Sequence, residues 1–224
     1  MLNFQLDGSV AVLTLDDGKA NAVGHEFIDA LDGGLDRALS DARAVVIAGR
    51  PGLFSAGFNL KEIQKGPDAA ARLLNRGAAM FLRLYSHPQP LVAACTGHAI
   101  AAGAFLLLSC DTRIGATGEY QIGLNETAIG MTFPVFAFEL AHARLSKRHL
   151  TQAFVQSTMY DPANAVDAGF LDEALDAADV VGRALEEAAR LAELPTDTYG
   201  ANKVAIRQSA IAAISASIRP ETTA

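Results

Sequence analysis

The sequence predicts an α/β protein with a helical C-terminal region. Short apolar runs, Val10–Leu15, Ala44–Ala48 and Leu91–Cys95, alternate with longer stretches of helical spacing in the first part of the chain. Beyond Pro134 the spacing is helical alone. Half of the 224 residues are hydrophobic and only 19% are charged, enough material for one substantial core. The expected division is an α/β core over residues 1–160 and a helical region over 161–224.

The elements follow in order. Phe4–Leu6 and Val10–Leu15 flank Asp7-Gly8-Ser9, a hairpin signal. A polar loop, Asp16 to Asn21, leads to a helix over His25–Leu39, with Phe27, Leu31, Leu35 and Leu39 on one face. Ala44–Ala48 is a buried strand, and Gly49-Arg50-Pro51-Gly52 a loop. Phe54 to Ile63 passes from small residues into a helix start capped by Asn59. A second amphipathic helix spans Ala69–Tyr85, and the His87-Pro88-Gln89-Pro90 turn precedes the strand Leu91–Cys95. Thr96–Gly103 reads as a Gly/Ala-rich turn and Ala104–Cys110 as a buried helix. Short strands are expected at Thr112–Ala116 and Tyr120–Ile122, with Asn125 capping a further turn of helix. Five helices complete the chain: Val135–Leu145, Lys147–Gln156, Pro162–Ala168, Ala177–Ala192 and Thr196–Ile218. Residues 220–224 are expected to fray.

The stretch Leu91 to Asp111 is apolar enough to suggest a membrane span, but Thr96-Gly97-His98 interrupts it and its flanks suit a water-soluble α/β domain. A net charge of −7 argues against general nucleic-acid binding, while leaving room for a phosphorylated small molecule. Cys95 and Cys110 provide no disulfide framework, and the five scattered histidines form no metal motif. A reducing, cytoplasmic location is expected, since strand-like sequence beginning at Asn3 or Phe4 leaves no room for a signal peptide. Neither a P-loop nor GxGxxG occurs, and Ser55 and Ser109 lack the nucleophile elbow of a hydrolase. What remains is a pair of small-residue turns, each opening a helix whose first N–H groups are free to meet developing negative charge. One carboxylate, Glu126, follows in an apolar setting.

Three ordered segments carry a resemblance: Phe54-Ser55-Ala56-Gly57-Phe58-Asn59-Leu60-Lys61-Glu62, Thr96 to Gly103 ending in Cys110-Asp111, and Ile122-Gly123-Leu124-Asn125-Glu126. Together they resemble the crotonase, or enoyl-CoA hydratase/isomerase, superfamily over about Phe4 to Ile206. The resemblance implies a spiral of ββα units with a C-terminal helical region, and a homo-oligomer, with a trimer favoured. It also implies an acyl-CoA thioester substrate, coenzyme A being part of that substrate rather than a cofactor, and neither a nucleic-acid nor a membrane partner. The implied oxyanion-hole donors are the backbone N–H groups of Phe58 and Ala102.

Hydratases of the superfamily use two glutamates, and the position of the first is Phe105 here. A phenyl ring neither orients water nor transfers a proton. The context of Glu126, Ile-Gly-Leu-Asn-Glu-Thr, resembles the 3-enoyl-CoA to 2-enoyl-CoA isomerases, which work with that single glutamate and belong to fatty acid β-oxidation. Phe105 and Leu106 would form the acyl pocket, and Lys61 is a weak candidate for the CoA phosphates. The rival readings are a hydratase whose second acid comes from elsewhere, such as Asp17, and an acyl-CoA-binding protein without catalysis. Asn59 stands where the family often has Asp, Ala101 and Ala102 replace glycines, and Phe58 is bulkier than usual. The sequence ends soon after Lys203–Ile206, short of the last helices common in the family.

Overall fold

The computed structural model describes residues 2–220. β1 (Leu2–Asp7) and β2 (Val10–Leu15) form the hairpin and lead to α1 (His25–Asp41). The pattern then repeats: β3 (Ala44–Ala48) and β4 (Gly52–Ser55) precede α2 (Leu60–Ile63) and α3 (Pro67–Tyr85), and β5 (Leu91–Cys95) and β6 (Gly97–Ile100) precede α4 (Ala102–Ser109). β7 (Thr112–Ala116) and β8 (Ile122–Gly123) lead to a 3-10 turn at Thr127–Ile129. α5 (Val135–Arg144), α6 (Leu150–Phe154), β9 (Met159–Tyr160), α7 (Pro162–Ala168), β10 (Glu173–Leu175), α8 (Val180–Ala192) and α9 (Thr196–Ser217) complete the described chain.

The β1-β2 hairpin stays in one sheet, whereas the later pairs β3/β4, β5/β6 and β7/β8 turn sharply and divide between two. β1-β2-β3-β5-β7-β10 make a six-stranded sheet, parallel except for the hairpin, and β4-β6-β8-β9 make a four-stranded one. The large sheet is covered on both faces, which explains its unbroken apolar strands. In β3, Val45 and Ile47 point into the main core, whereas Ala44, Val46 and Ala48 meet Ala184, Ala188 and Leu191 of α8. Small residues on both sides let that helix lie close to the sheet.

The expectation of helices alone beyond Pro134 misses β9 and β10. These strands have only two and three residues, too few for periodicity to register. β10 extends the large sheet beside β7, where Asp172 accepts from Arg113 N at 2.8 Å and Nε at 2.9 Å. β4 and β6 were hidden by their glycines. A Cβ on Gly97 would lie 2.0 Å from the carbonyl carbon of Gly52, so the strand pairing at that point requires hydrogen as the side chain. The capping role expected for Asn125 belongs to no helix; Glu126 stands at the N-terminal boundary of the 3-10 turn. No helix among the described residues is long and apolar enough to cross a membrane, and the apolar 91–111 stretch divides into two strands and an eight-residue helix.

Candidate active site

β4, β6 and β8 are parallel neighbours, and the three functional candidates follow their C-terminal ends. Ser55 pairs with Ala99 and Ile100 with Gly123, so Phe58, Ala102 and Glu126 each stand two or three residues beyond this shared edge. Strands hydrogen-bonded in this register bring residues far apart in sequence to one rim, where ligands of α/β sheets gather.

The first turn is held by the segment after β2. Ala56 N donates to Ala20 O at 3.0 Å, Val23 N to Gly57 O at 2.8 Å and Asn59 N to Val23 O at 3.0 Å. In extended backbone successive amides point to opposite sides, so this lacing leaves Phe58 N–H facing away from residues 20–23. It donates to no acceptor among the described residues. Asn21 and Ser55 brace the turn. Asn21 Nδ2 donates to Leu15 O at 2.9 Å and Phe54 O at 3.1 Å, while Ser55 Oγ donates to Asn21 O at 2.8 Å.

The second turn opens α4. Ala101 N donates to Gly123 O at 2.9 Å, which consumes that amide and leaves Ala102 N–H as a free first-turn donor of the helix. Ala101 adopts φ 54°, a conformation costly for a residue with a Cβ. The two turns abut: a Cβ on Gly57 would lie 3.0 Å from Ala101 Cβ and 3.5 Å from Ala102 N. On Gly103 it would lie 2.2 Å from Ser55 O. Glycine at both places permits two unpaired N–H groups on adjoining turns.

Glu126 is mostly buried, and its Oε2 has no hydrogen-bond partner. Burial raises its pKa to about 7, against the smaller opposing effect of the backbone N–H groups of Glu126 and Asn125. Its loop is fixed by Met131 N donating to Glu126 O at 2.8 Å and by Ala128 N donating to Ser157 Oγ at 3.0 Å. Phe105 and Leu106, each 1% exposed, lie in the main core. Phe133, seven residues after Glu126, sets its ring edge-on to Phe105 with centroids 6.2 Å apart.

Lys61 is exposed on α2, and its backbone N–H donates to the capping Asn59 side chain at 3.1 Å. Asn59 Nδ2 also donates to Glu62 Oε1 at 3.2 Å, a bond the more usual Asp could not make. Asp17 accepts from Lys19 N at 2.7 Å and Asn21 N at 2.9 Å, tying its carboxylate to its own loop. Burial pushes the Asp17 pKa up, but the backbone donors Asn21, Lys19 and Ala22 outweigh it and hold the carboxyl below its ordinary value. Sequence reasoning missed Phe81 and Phe136, which meet Phe105 at centroid distances of 6.2 and 5.7 Å. Their helical spacing marked them as apolar but not as neighbours of one another.

Repeated ββα units whose parallel strand ends lead to two turns with free amides and to a half-buried carboxylate define a crotonase-fold enzyme. The chain belongs to the enoyl-CoA hydratase/isomerase family, whose pattern it matches over residues 5–222. It is 30% identical to human mitochondrial enoyl-CoA delta isomerase 1 over 205 residues, covering 89% of this chain and 68% of that protein. It is 31% identical to a probable enoyl-CoA hydratase of Bacillus subtilis, covering 88% of this chain and 78% of that one. The apo structure of a Mycobacterium tuberculosis enoyl-CoA isomerase superimposes with a TM-score of 0.92 at 40% identity, covering 97% of this chain and 95% of that one.

Proposed function

We propose that this protein is an enoyl-CoA isomerase that moves the double bond of a 3-enoyl-CoA to the 2-position, with Glu126 as its single acid/base. The observation that carries the reading is a carboxylate with one unpartnered oxygen and a pKa near 7, in a chain that has Phe105 where the family's hydratases have a second acid. The carboxylate takes a proton from C2, and the C–H electrons flow into the thioester carbonyl to give a dienolate. Phe58 N–H and Ala102 N–H hold the dienolate oxygen. The carboxylic acid just formed returns the proton at C4, leaving the double bond between C2 and C3. A single oxyanion-hole donor contributes about 3–4 kcal/mol to lowering such a barrier.

The surroundings favour isomerisation over hydration. Burial makes Glu126 basic near neutrality, and the Phe105 ring neither orients water nor transfers a proton. Asp17, the rival second acid, is engaged by its own loop. Lys61, exposed beside the Phe58 turn, is assigned to the CoA phosphates.

The test is turnover of 3-hexenoyl-CoA and 2-hexenoyl-CoA in parallel, with products resolved by mass. Double-bond migration in the first reaction with negligible water addition in the second supports the isomerase. Efficient water addition would make the protein a hydratase, and binding without either reaction would leave a non-catalytic acyl-CoA binder.

A further inference from the structure

We propose that Phe136 is the floor of the acyl site and restricts the enzyme to short-chain 3-enoyl thioesters, an inference that rests on the acyl-CoA reading above. Rings close the space between the two oxyanion turns. Phe58, whose N–H is one donor, seats its ring on α3, where a Cβ on Gly77 would lie 2.6 Å from Phe58 Cζ. Phe105 projects from α4, the helix opened by the other donor. Phe136 of α5 meets both, with centroids 6.4 Å from Phe58 and 5.7 Å from Phe105, and it stacks on Phe81 at 4.7 Å. Phe136 is 2% exposed and Phe81 fully buried, so an acyl tail advancing from the thioester meets closed aromatic packing after a few carbons.

Open space lies on the far side of the same ring. A mostly apolar groove of about 330 Å³ between α3, α5 and the end of α9 is lined by Leu74, Ala78, Val135 and Phe136, together with the polar Asn75 and Arg219. Phe136 thus borders the groove on one side and touches Phe58 and Phe105 on the other. It acts as a partition whose removal would join this groove to the acyl site. Gly77 is the complementary small residue: the bulk at Phe58 is accommodated only because α3 carries no side chain there.

The experiment measures kcat/KM for 3-hexenoyl-CoA and 3-dodecenoyl-CoA with wild type, Phe136→Ala and Phe136→Leu. Calorimetric binding of hexanoyl-CoA and dodecanoyl-CoA is run alongside. Deleting a core ring destabilises a fold, so Phe136→Leu accompanies the larger truncation and circular dichroism checks that each variant is folded. Wild type is expected to prefer the hexenoyl substrate by about tenfold or more, the scale on which a pocket discriminates single methylenes. Both variants should shrink or reverse that ratio. Equal use of both chain lengths by wild type, or an unchanged ratio in folded Phe136→Leu, would overturn the inference. The binding arm separates the two claims: a hexanoyl preference without turnover supports the floor while contradicting the isomerase. Failure to bind either thioester would overturn both.

Discussion

At Glu126, burial that outweighs its backbone donors sets the protonation of the proposed base and its effect on stability. Proton abstraction requires the carboxylate, so kcat/KM for 3-enoyl-CoA should climb with pH and level off above about 7. A profile already flat from pH 5 upward would show an ordinary carboxylate. The stability effect has the opposite sense. The folded-state pKa, about 7, lies above the ordinary 4.5, so the folded protein binds this proton more tightly than the unfolded chain. Its contribution is most favourable below pH 4.5 and is lost as pH rises to about 7, by about 3 kcal/mol. Glu126→Gln should therefore stabilise the fold at pH 8, by about 1–3 kcal/mol in urea unfolding, while removing turnover. At Ala101, with φ 54°, glycine relieves strain at the cost of chain entropy. Ala101→Gly should be more stable by about 1 kcal/mol, and a loss of stability would show that the added chain entropy outweighs the strain relieved.

Among the elements, α9 is fastened by buried charge. Lys203 Nζ lies 2.6 Å from Asp111 Oδ2 and donates to His87 O and Gln89 O, each at 2.8 Å, while Arg207 pairs with Asp111 at 2.9 Å. Lys203→Ala leaves Asp111 short of a partner and should cost about 3–5 kcal/mol in denaturant unfolding. A cost below about 1 kcal/mol would mean that Arg207, with Leu91 N and Tyr199 Oη donating to Asp111 at 2.9 Å each, satisfies the carboxylate. The same scale shows what could be read in advance. The strands β2, β3 and β5 were legible because their two faces are both buried, and α3 because its apolar stripe repeats at helical spacing. β4 and β6, which lead to the two small-residue turns, were not. Their glycines read as loop, whereas the close approach of Gly97 to Gly52 makes them strand. Glu126 stood out as a carboxylate in an apolar setting, but Phe58 and Ala102 were named only through a family resemblance, because nothing in local sequence says that three separate strand ends share one rim. Phe136 escaped notice because its role depends on neighbours from α3 and α4.

For the molecule as a whole, the two-sheet spiral brings strand ends from three repeats to one rim, and α3, α5 and α9 pack on one another. The family resemblance carries the expectation of a homotrimer. Sedimentation velocity should give the mass of three 23.5 kDa chains, and a monomer at micromolar concentration would contradict it. The central claim is that one carboxylate performs both proton transfers. It is tested most directly by the rate of 3-hexenoyl-CoA isomerisation with Glu126→Gln, beside calorimetric binding of hexanoyl-CoA to the same variant. The account predicts retained binding and a fall in rate of about 10²–10⁴-fold. A variant that isomerises within about threefold of wild type, where general acid–base catalysis contributes at least about 10²-fold, would place the base elsewhere.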